Sequence, residues 1–206
     1  MIYLIGGSPR SGKTILSKKL SKKLGIQNIS TDILRLFMVA SLNEDDKYKY
    51  FPFEKMFDLA ITVDTFYKQT SGADMLSADI EEAKNLMPGI LAFIEYFKNA
   101  ETDYIIEGVH FLPSLINHLK EDEGIKIIIL TKNNSDKIYD GLKENEGKGD
   151  WIADNINDDQ ILLKAAKSLA QYGKYFEAES TKYGFHCINT EDNFLDKIED
   201  ALSYLE

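Results

Sequence analysis

Eight residues near the amino terminus carry the clearest chemistry: Gly7, Ser8, Pro9, Arg10, Ser11, Gly12, Lys13 and Thr14 fit the pattern G-x-x-x-x-G-K-[ST]. The glycines let the backbone curl so that successive N–H groups point inward, and the amino end of the following helix adds partial positive charge. A polyphosphate chain is the ligand such a nest takes. Lys13 then reaches the β- and γ-phosphates, and the Thr14 hydroxyl is placed to ligate Mg²⁺. A glycine-rich turn without a ligand would leave the lysine without a counterion. Arg10 lies inside the loop and has two open roles, covering the phosphates or facing solvent.

An acceptor for the phosphate needs a base, and two carboxylates follow apolar runs at positions where an open α/β sheet gathers its ligands. Asp32 follows "NIST" and Glu107 follows "DYII". Asp32 is a candidate to take a proton from an attacking hydroxyl, and equally a helix N-cap. Glu107, before Gly108, is expected near the magnesium ion. Arg35 lies three residues after Asp32, so a helix puts both on one face. Together they would suit an anionic acceptor, or Arg35 would form a surface ion pair with a carboxylate of the central segment. His110 in "EGVHF" is a substrate contact or a hydrogen-bonded structural histidine; His118 and His186 have no ligand-like partners. Tyr48, Tyr50, Phe51, Phe53 and Phe57 either wall the acceptor pocket or pack the segment they belong to.

The elements that must position these residues follow from periodicity. "IYLIGG" reads as a strand buried on both faces, and Leu16, Leu20 and Leu24 as the apolar stripe of the next helix. "IQNIST" is a second strand, and Asp32 starts a helix containing Leu36 and Phe37. Residues 41–100 read as a largely helical insert, with a helix after Pro88. "DYIIEG", "IKIIILT" and "HCINT" complete five strands, separated by helices at "LPSLINHLK" and through Leu162, Ala166, Leu169, Gly173 and Phe176. Phe194, Ile198, Leu202 and Leu205 mark a closing helix. The polar segment 132–151 reads as a mobile helical hairpin or lid. The predicted fold is a single α/β P-loop domain over residues 1–206, with a mostly parallel, doubly wound five-stranded sheet, an insert and a lid.

Composition agrees with that size and narrows the partners. The 206 residues are 44% hydrophobic and 28% charged, enough for one full core. A formal net charge of -10 repels nucleic acid and anionic membranes from the average surface. The single cysteine, Cys187, forms no internal disulfide and reads as a packed strand residue, which suits a reducing compartment. The opening apolar run is too short for a signal peptide or membrane span, so a cytoplasmic protein is expected.

The stretches "GGSPRSGKT", "ISTDILRLF" and "IIEGVHFLP" together resemble the P-loop small-molecule kinases, most closely the 2-phosphoglycerate kinase-like group. The resemblance implies ATP- and Mg²⁺-dependent transfer to a small hydroxyl-bearing acceptor, with Asp32 and Arg35 at the acceptor and Glu107 near magnesium. Kinases of this kind carry lid arginines that clamp the transferring phosphate. This chain has only Arg10 and Arg35, and its lid region offers Lys137, Lys143 and Lys148, point charges without a planar fork. Two other readings remain open: a nucleoside, nucleotide or nucleotide-sugar kinase whose insert forms the acceptor pocket, and a nucleotide-dependent switch acting on a protein partner. A planar aromatic slot favours a base as acceptor, and a basic hollow near Arg35 favours a phosphorylated acid.

Overall fold

Every residue of the first strand, β1 (Ile2–Gly7), is buried, because strands flank it on both sides and helices cover both its faces. In the computed structural model, which describes residues Met1 to Glu206, β1 pairs in parallel with β3 (Tyr104–Gly108) and with β4 (Ile125–Thr131). The outer strands are β2 (Gln27–Ser30), paired with β3, and β5 (Cys187–Asn189), paired with β4. The order is β2-β3-β1-β4-β5, and all four pairings are parallel. In this register Ser30 and Ile5 both stand beside Glu107. The phosphate loop, the start of the Asp32 helix and Glu107 therefore meet at one carboxyl edge of the sheet.

Strand alternation sorts the side chains onto two covering layers. Tyr3, Ile5, Ile105, Ile128 and Leu130 face α1 (Lys13–Leu24) and α10 (Phe194–Leu205), where they meet Leu16, Leu20, Ile198 and Leu202. Ile2, Leu4, Ile106, Ile127 and Ile129 face the other way, onto Ala83, Leu86 and Ile90 of α6 (Gly72–Asn99) and Phe176 of α9 (Asp159–Tyr183). Leu24 is not part of the stripe that was expected to hold it. It is 39% exposed, because α1 ends beside it at the left-handed Gly25. The helix expected to begin after Pro88 starts at Gly72 instead and runs through the proline. Pro88 is on the solvent side, where water satisfies the carbonyl that its missing N–H leaves free.

Between β2 and β3 the chain is helical throughout: α2 (Thr31–Ser41), α3 (Glu44–Tyr50), α4 (Pro52–Ala60), α5 (Val63–Gln69) and α6. On α2, Leu36 and Phe37 point outward, 64% and 71% exposed. After β3 comes one short helix, α7 (Pro113–Ile116), with a 3-10 turn at Asn117–Leu119. The segment 132–151 contains one helix, α8 (Ser135–Glu144), rather than a helical hairpin. Its second half is tied into turns by Asp154, whose carboxylate accepts from the amides of Gly147 and Gly149. A third apolar cluster joins the insert to this segment: Phe66, Tyr67 and Met75 pack with Ile138 and Leu142 of α8, Ile152, and Leu162 and Leu169 of α9.

Gly173 marks where α9 touches the end of β4, since a Cβ there would overlap the Lys132 carbonyl oxygen and the Asn133 side chain. Backbone cannot yield as a flexible side chain can. Gly173→Ala is therefore expected to destabilise the fold by about 1–3 kcal/mol, read as a lower urea midpoint with an unchanged m-value.

Candidate active site

The phosphate loop is built by two glycines in backbone regions that other residues avoid. Gly7 has φ 132°, and a Cβ on it would overlap the Leu130 carbonyl. Gly12 has φ 96° and is the N-cap of α1, with no side chain to cap the helix. Neighbouring bonds hold the curl: Ser8 N donates to Leu130 O at 3.0 Å, Lys132 N donates to Ser8 Oγ at 3.1 Å, and Ser11 Oγ donates to Ser8 O at 2.8 Å. Inside it, the amides of residues 10 to 15 donate to no protein acceptor. Free N–H groups at a helix amino terminus form an anion site.

Lys13 is buried in this curl, its Nζ donating to Ser8 O at 2.7 Å. Burial pulls its pKa down, against the attraction of Glu107 and Asp32. A peptide carbonyl is a weak answer to a buried ammonium, so the site fits a phosphate anion there. Beside it, Thr14 Oγ1 donates to Glu107 Oε1 at 3.0 Å. Burial raises the Glu107 carboxyl, with Lys13 and the Thr14 hydroxyl opposing. A hydroxyl and a carboxylate are the hard oxygen donors that magnesium takes. No cluster of three or more metal-ligating side chains surrounds them, a donor set that fits an ion sharing its shell with phosphate oxygens and water.

Two cavities meet at this loop, with Arg10, Lys13 and Thr14 lining both. The first, about 490 Å³, runs between the loop, α8, Glu191 and Phe194. Lys132, directly after β4, lines it and is half-buried; burial lowers its pKa, and nearby Arg10 adds to this. The lysines expected from the lid line neither cavity. Lys137 pairs with Asp192, and Lys143 lies 3.1 Å from both Glu146 and Asp159. Arg10 is held by both carboxylate oxygens of Asp150, whose Oδ1 also accepts from Ile152 N and Ala153 N at 3.0 and 3.1 Å. Burial opposes the charge on Asp150, yet Arg10 and these amides hold its carboxyl below the usual range.

The second cavity, about 630 Å³, lies between α2, α6, α9 and Trp151. Asp32 and Arg35 both line it, with His110 and Glu107. Ser30, not Asp32, caps α2: its side chain accepts from Asp32 N at 3.2 Å. The Asp32 carboxylate is consequently uncommitted, its side chain 71% exposed and its Oδ1 3.8 Å from His110 Nδ1. Arg35 is committed twice. Its Nε donates to Glu82 Oε2 at 2.7 Å and its Nη2 lies 2.9 Å from Glu54 Oε2. The partners are indeed insert carboxylates, but Glu82 is fully buried, with Oε1 accepting from Phe53 N and Glu54 N at 2.6 and 3.2 Å. His110 is 2% exposed and shares a 2.7 Å hydrogen bond with Thr31 Oγ1.

The aromatic residues divide. Phe51 is fully buried under the Arg35 guanidinium, Phe57 packs on Phe66 and Trp151, and Tyr48 donates outward to Asp58 at 3.1 Å. Only Phe53 of that stretch reaches the second cavity, where Tyr67, Trp151 and Tyr172 form the rest of an aromatic wall. Tyr172 donates its hydroxyl to Asp79, a carboxylate on α6 that also lines the space. Sequence reasoning missed Lys132, Asp79 and Tyr172. Lys132 had one available signal, its place directly after a β-branched run, at the sheet edge where ligands bind.

No protein-family model and no curated protein sequence matches the chain. Among solved structures, a sugar kinase from Janibacter sp. HTCC2649 aligns over 99% of this chain and 93% of its own, with 13% identity and a TM-score of 0.56. The chain has the α/β fold of P-loop kinases. A dephospho-CoA kinase from Campylobacter jejuni aligns over 99% and 94%, with 14% identity and a TM-score of 0.49. A shikimate kinase from Bacteroides thetaiotaomicron aligns over 100% and 95%, with 16% identity and a TM-score of 0.46. No helix is long and apolar enough to cross a membrane.

Burial is the main cause that lowers the His110 pKa from 6.5 to about 4; Asp32 works against the shift, Arg35 and Lys13 with it. An unfolded chain takes up this proton at the ordinary 6.5, while the folded one resists it to about 4. The group's share of stability is complete above the first value and is lost as pH falls toward the second. The His110 ring resonances in an NMR titration are expected to move near pH 4; movement at the ordinary value would contradict a buried neutral ring.

Proposed function

We propose that the protein is a kinase that transfers the γ-phosphoryl group of ATP, with magnesium, to a hydroxyl of a small molecule. The observation that carries this reading is the junction of the two cavities at Arg10, Lys13 and Thr14, with the uncommitted carboxylate of Asp32 on the far side. A polyphosphate laid in the amide nest lets Lys13 exchange the Ser8 carbonyl for a phosphate oxygen, a stronger partner for its charge. Thr14 and Glu107 would hold magnesium, which when bound neutralises phosphate charge during transfer.

The acceptor enters from the second cavity, and its hydroxyl loses a proton to Asp32 as its oxygen attacks. Arg10 stands at the junction but is tied to Asp150, so Lys13 and the loop amides would have to carry the charge that lid arginines carry in the kinases this chain resembles. The insert and Trp151 wall the acceptor side, and closing them over a bound acceptor would keep out the water whose attack wastes the nucleotide. A 2-phosphoglycerate-like acceptor needs a free cation near Asp32 for its acidic groups. Arg35 is placed for that, but Glu82 and Glu54 already neutralise it. The aromatic wall supports the ring-bearing acceptor of the nucleoside-type alternative better.

Lys13→Ala is expected to weaken ATP binding at least about tenfold, the scale of losing one charged hydrogen bond. Asp32→Asn should lower kcat about 10²–10⁴-fold and leave the ATP dissociation constant nearly unchanged. Calorimetry and transfer of labelled phosphate measure the two effects separately. An Asp32→Asn enzyme with full kcat would remove the base from the mechanism, and a wild-type protein that binds no nucleoside triphosphate would end the kinase reading.

A further inference from the structure

The charges around the second cavity do not suit an acid. Of its three cations, Lys13 belongs to the phosphate loop, Arg10 is taken by Asp150 and Arg35 by Glu82 and Glu54. Of the three carboxylates that line the space, Glu107 sits beside Lys13 and Thr14, while Asp32 and Asp79 have no cation of their own. Asp79 projects from the middle of α6 toward Tyr172, whose hydroxyl donates to its Oδ2. Its Oδ1 accepts from no protein group, and the residue is half-buried in the cavity lining. Around it stand Tyr67 and Tyr172, each 1% exposed, with Phe53 and Trp151. An aromatic wall with one half-satisfied carboxylate set into it suits a ring-bearing body that carries a hydrogen-bond donor.

Resting on the kinase reading above, we propose that the acceptor is an uncharged or cationic ring compound that bears, besides its reactive hydroxyl, an N–H donor bound by Asp79. The ring lies against Tyr67, Tyr172 and Trp151, and the N–H fills the open Oδ1. An anionic acceptor would instead bring its charge against Asp32 and Asp79, neither of which has a cation of its own. Burial lifts the Asp79 carboxyl to about 7; the Tyr172 bond and Arg35 oppose this, while Glu82 and Asp32 add to it. With Tyr67 these are the titratable groups that face it. A donor needs the ionised form, so acceptor binding weakens as pH falls below about 7 and releases protons near that pH.

The test uses the full-length protein with ATP and magnesium, and compares three acceptors: a neutral nucleoside, a cationic aminoglycoside and 2-phosphoglycerate. Phosphoryl transfer is followed with labelled ATP, and binding by calorimetry in buffers of different ionisation enthalpy. The expected result is binding and transfer with the nucleoside or the aminoglycoside, which also tells the neutral source of the N–H from the cationic one. Asp79→Asn should raise KM for that acceptor about 10- to 100-fold, the scale of one charged hydrogen bond, leave KM for ATP unchanged and abolish the pH dependence near neutrality. If Asp79→Asn does not fold, Tyr172→Phe keeps the ring, frees the second oxygen and should move the pH dependence upward. Preference for 2-phosphoglycerate, binding of neither N–H compound, or an unaltered acceptor KM and pH profile in both variants would overturn the proposal. A protein that binds ATP and phosphorylates only the acid loses this inference and keeps the kinase reading, whereas one that binds no triphosphate loses both.

Discussion

The ammonium of Lys13 is buried at the amino terminus of α1, where the helix dipole and a row of undirected amides already concentrate positive potential. Its one direct partner is the Ser8 carbonyl, and a peptide oxygen offsets only part of the cost of taking a charge out of water. The fold answers from the sheet. Parallel register brings Glu107 beside β1 and starts α2 next to it, so both Glu107 and Asp32 act on the lysine through space. Neither forms an ion pair with it, which leaves the ammonium available to an incoming anion. A fully paired lysine would make a more stable apo protein and a poorer phosphate site.

The same economy governs the two arginines. Each ties a distant segment to the sheet edge: Arg10 fastens the turn after α8 through Asp150, and Arg35 fastens the insert through Glu82 and Glu54. Removing one partner of a buried pair costs about 3–5 kcal/mol, a scale that applies to Arg35 on the fully buried Glu82, while the part-exposed Arg10–Asp150 contact is worth less. They act beside the apolar cluster in which Phe66, Tyr67 and Met75 meet Ile138, Leu142 and Ile152. Insert and lid region thus share one interior, and the second cavity is walled from both. Its shape depends on residues as far apart in sequence as Arg10 and Asp150, 140 positions, being held in one packed unit.

That separation explains what the sequence could disclose. The phosphate loop is contiguous, and its glycines have one physical reason to be there, so its position and curl were readable from eight residues. Glu107 and Asp32 were readable because a strand end in a parallel sheet has a known address. Asp79 and Tyr172 lie in long helices, at positions where amphipathic periodicity predicts only packing or solvent, and nothing local distinguishes them. The expected lysine lid failed for a related reason. Composition located Lys137 and Lys143 in the right segment, but their ion pairs with Asp192 and Asp159 are settled by tertiary neighbours. Pro88 misled through a local rule that solvent exposure relaxes.

Pairing also decides which carboxylate is free to work. A base that accepts a proton from a hydroxyl must not be neutralised by a neighbouring cation, and Arg35, one helical turn from Asp32, is the cation best placed to do so. Glu82 and Glu54 draw the guanidinium toward the insert, while Ser30 takes over the cap of α2. His110, kept neutral by burial, adds no compensating charge at 3.8 Å. The insert carboxylates therefore contribute to the proposed reaction without touching a substrate. By occupying Arg35 they leave Asp32 uncommitted and make the acceptor side of the site acidic, opposite a nucleotide side that is cationic. In the proposed reaction a phosphoryl group would leave a pocket suited to anions and join an acceptor that the facing carboxylates disfavour as an anion.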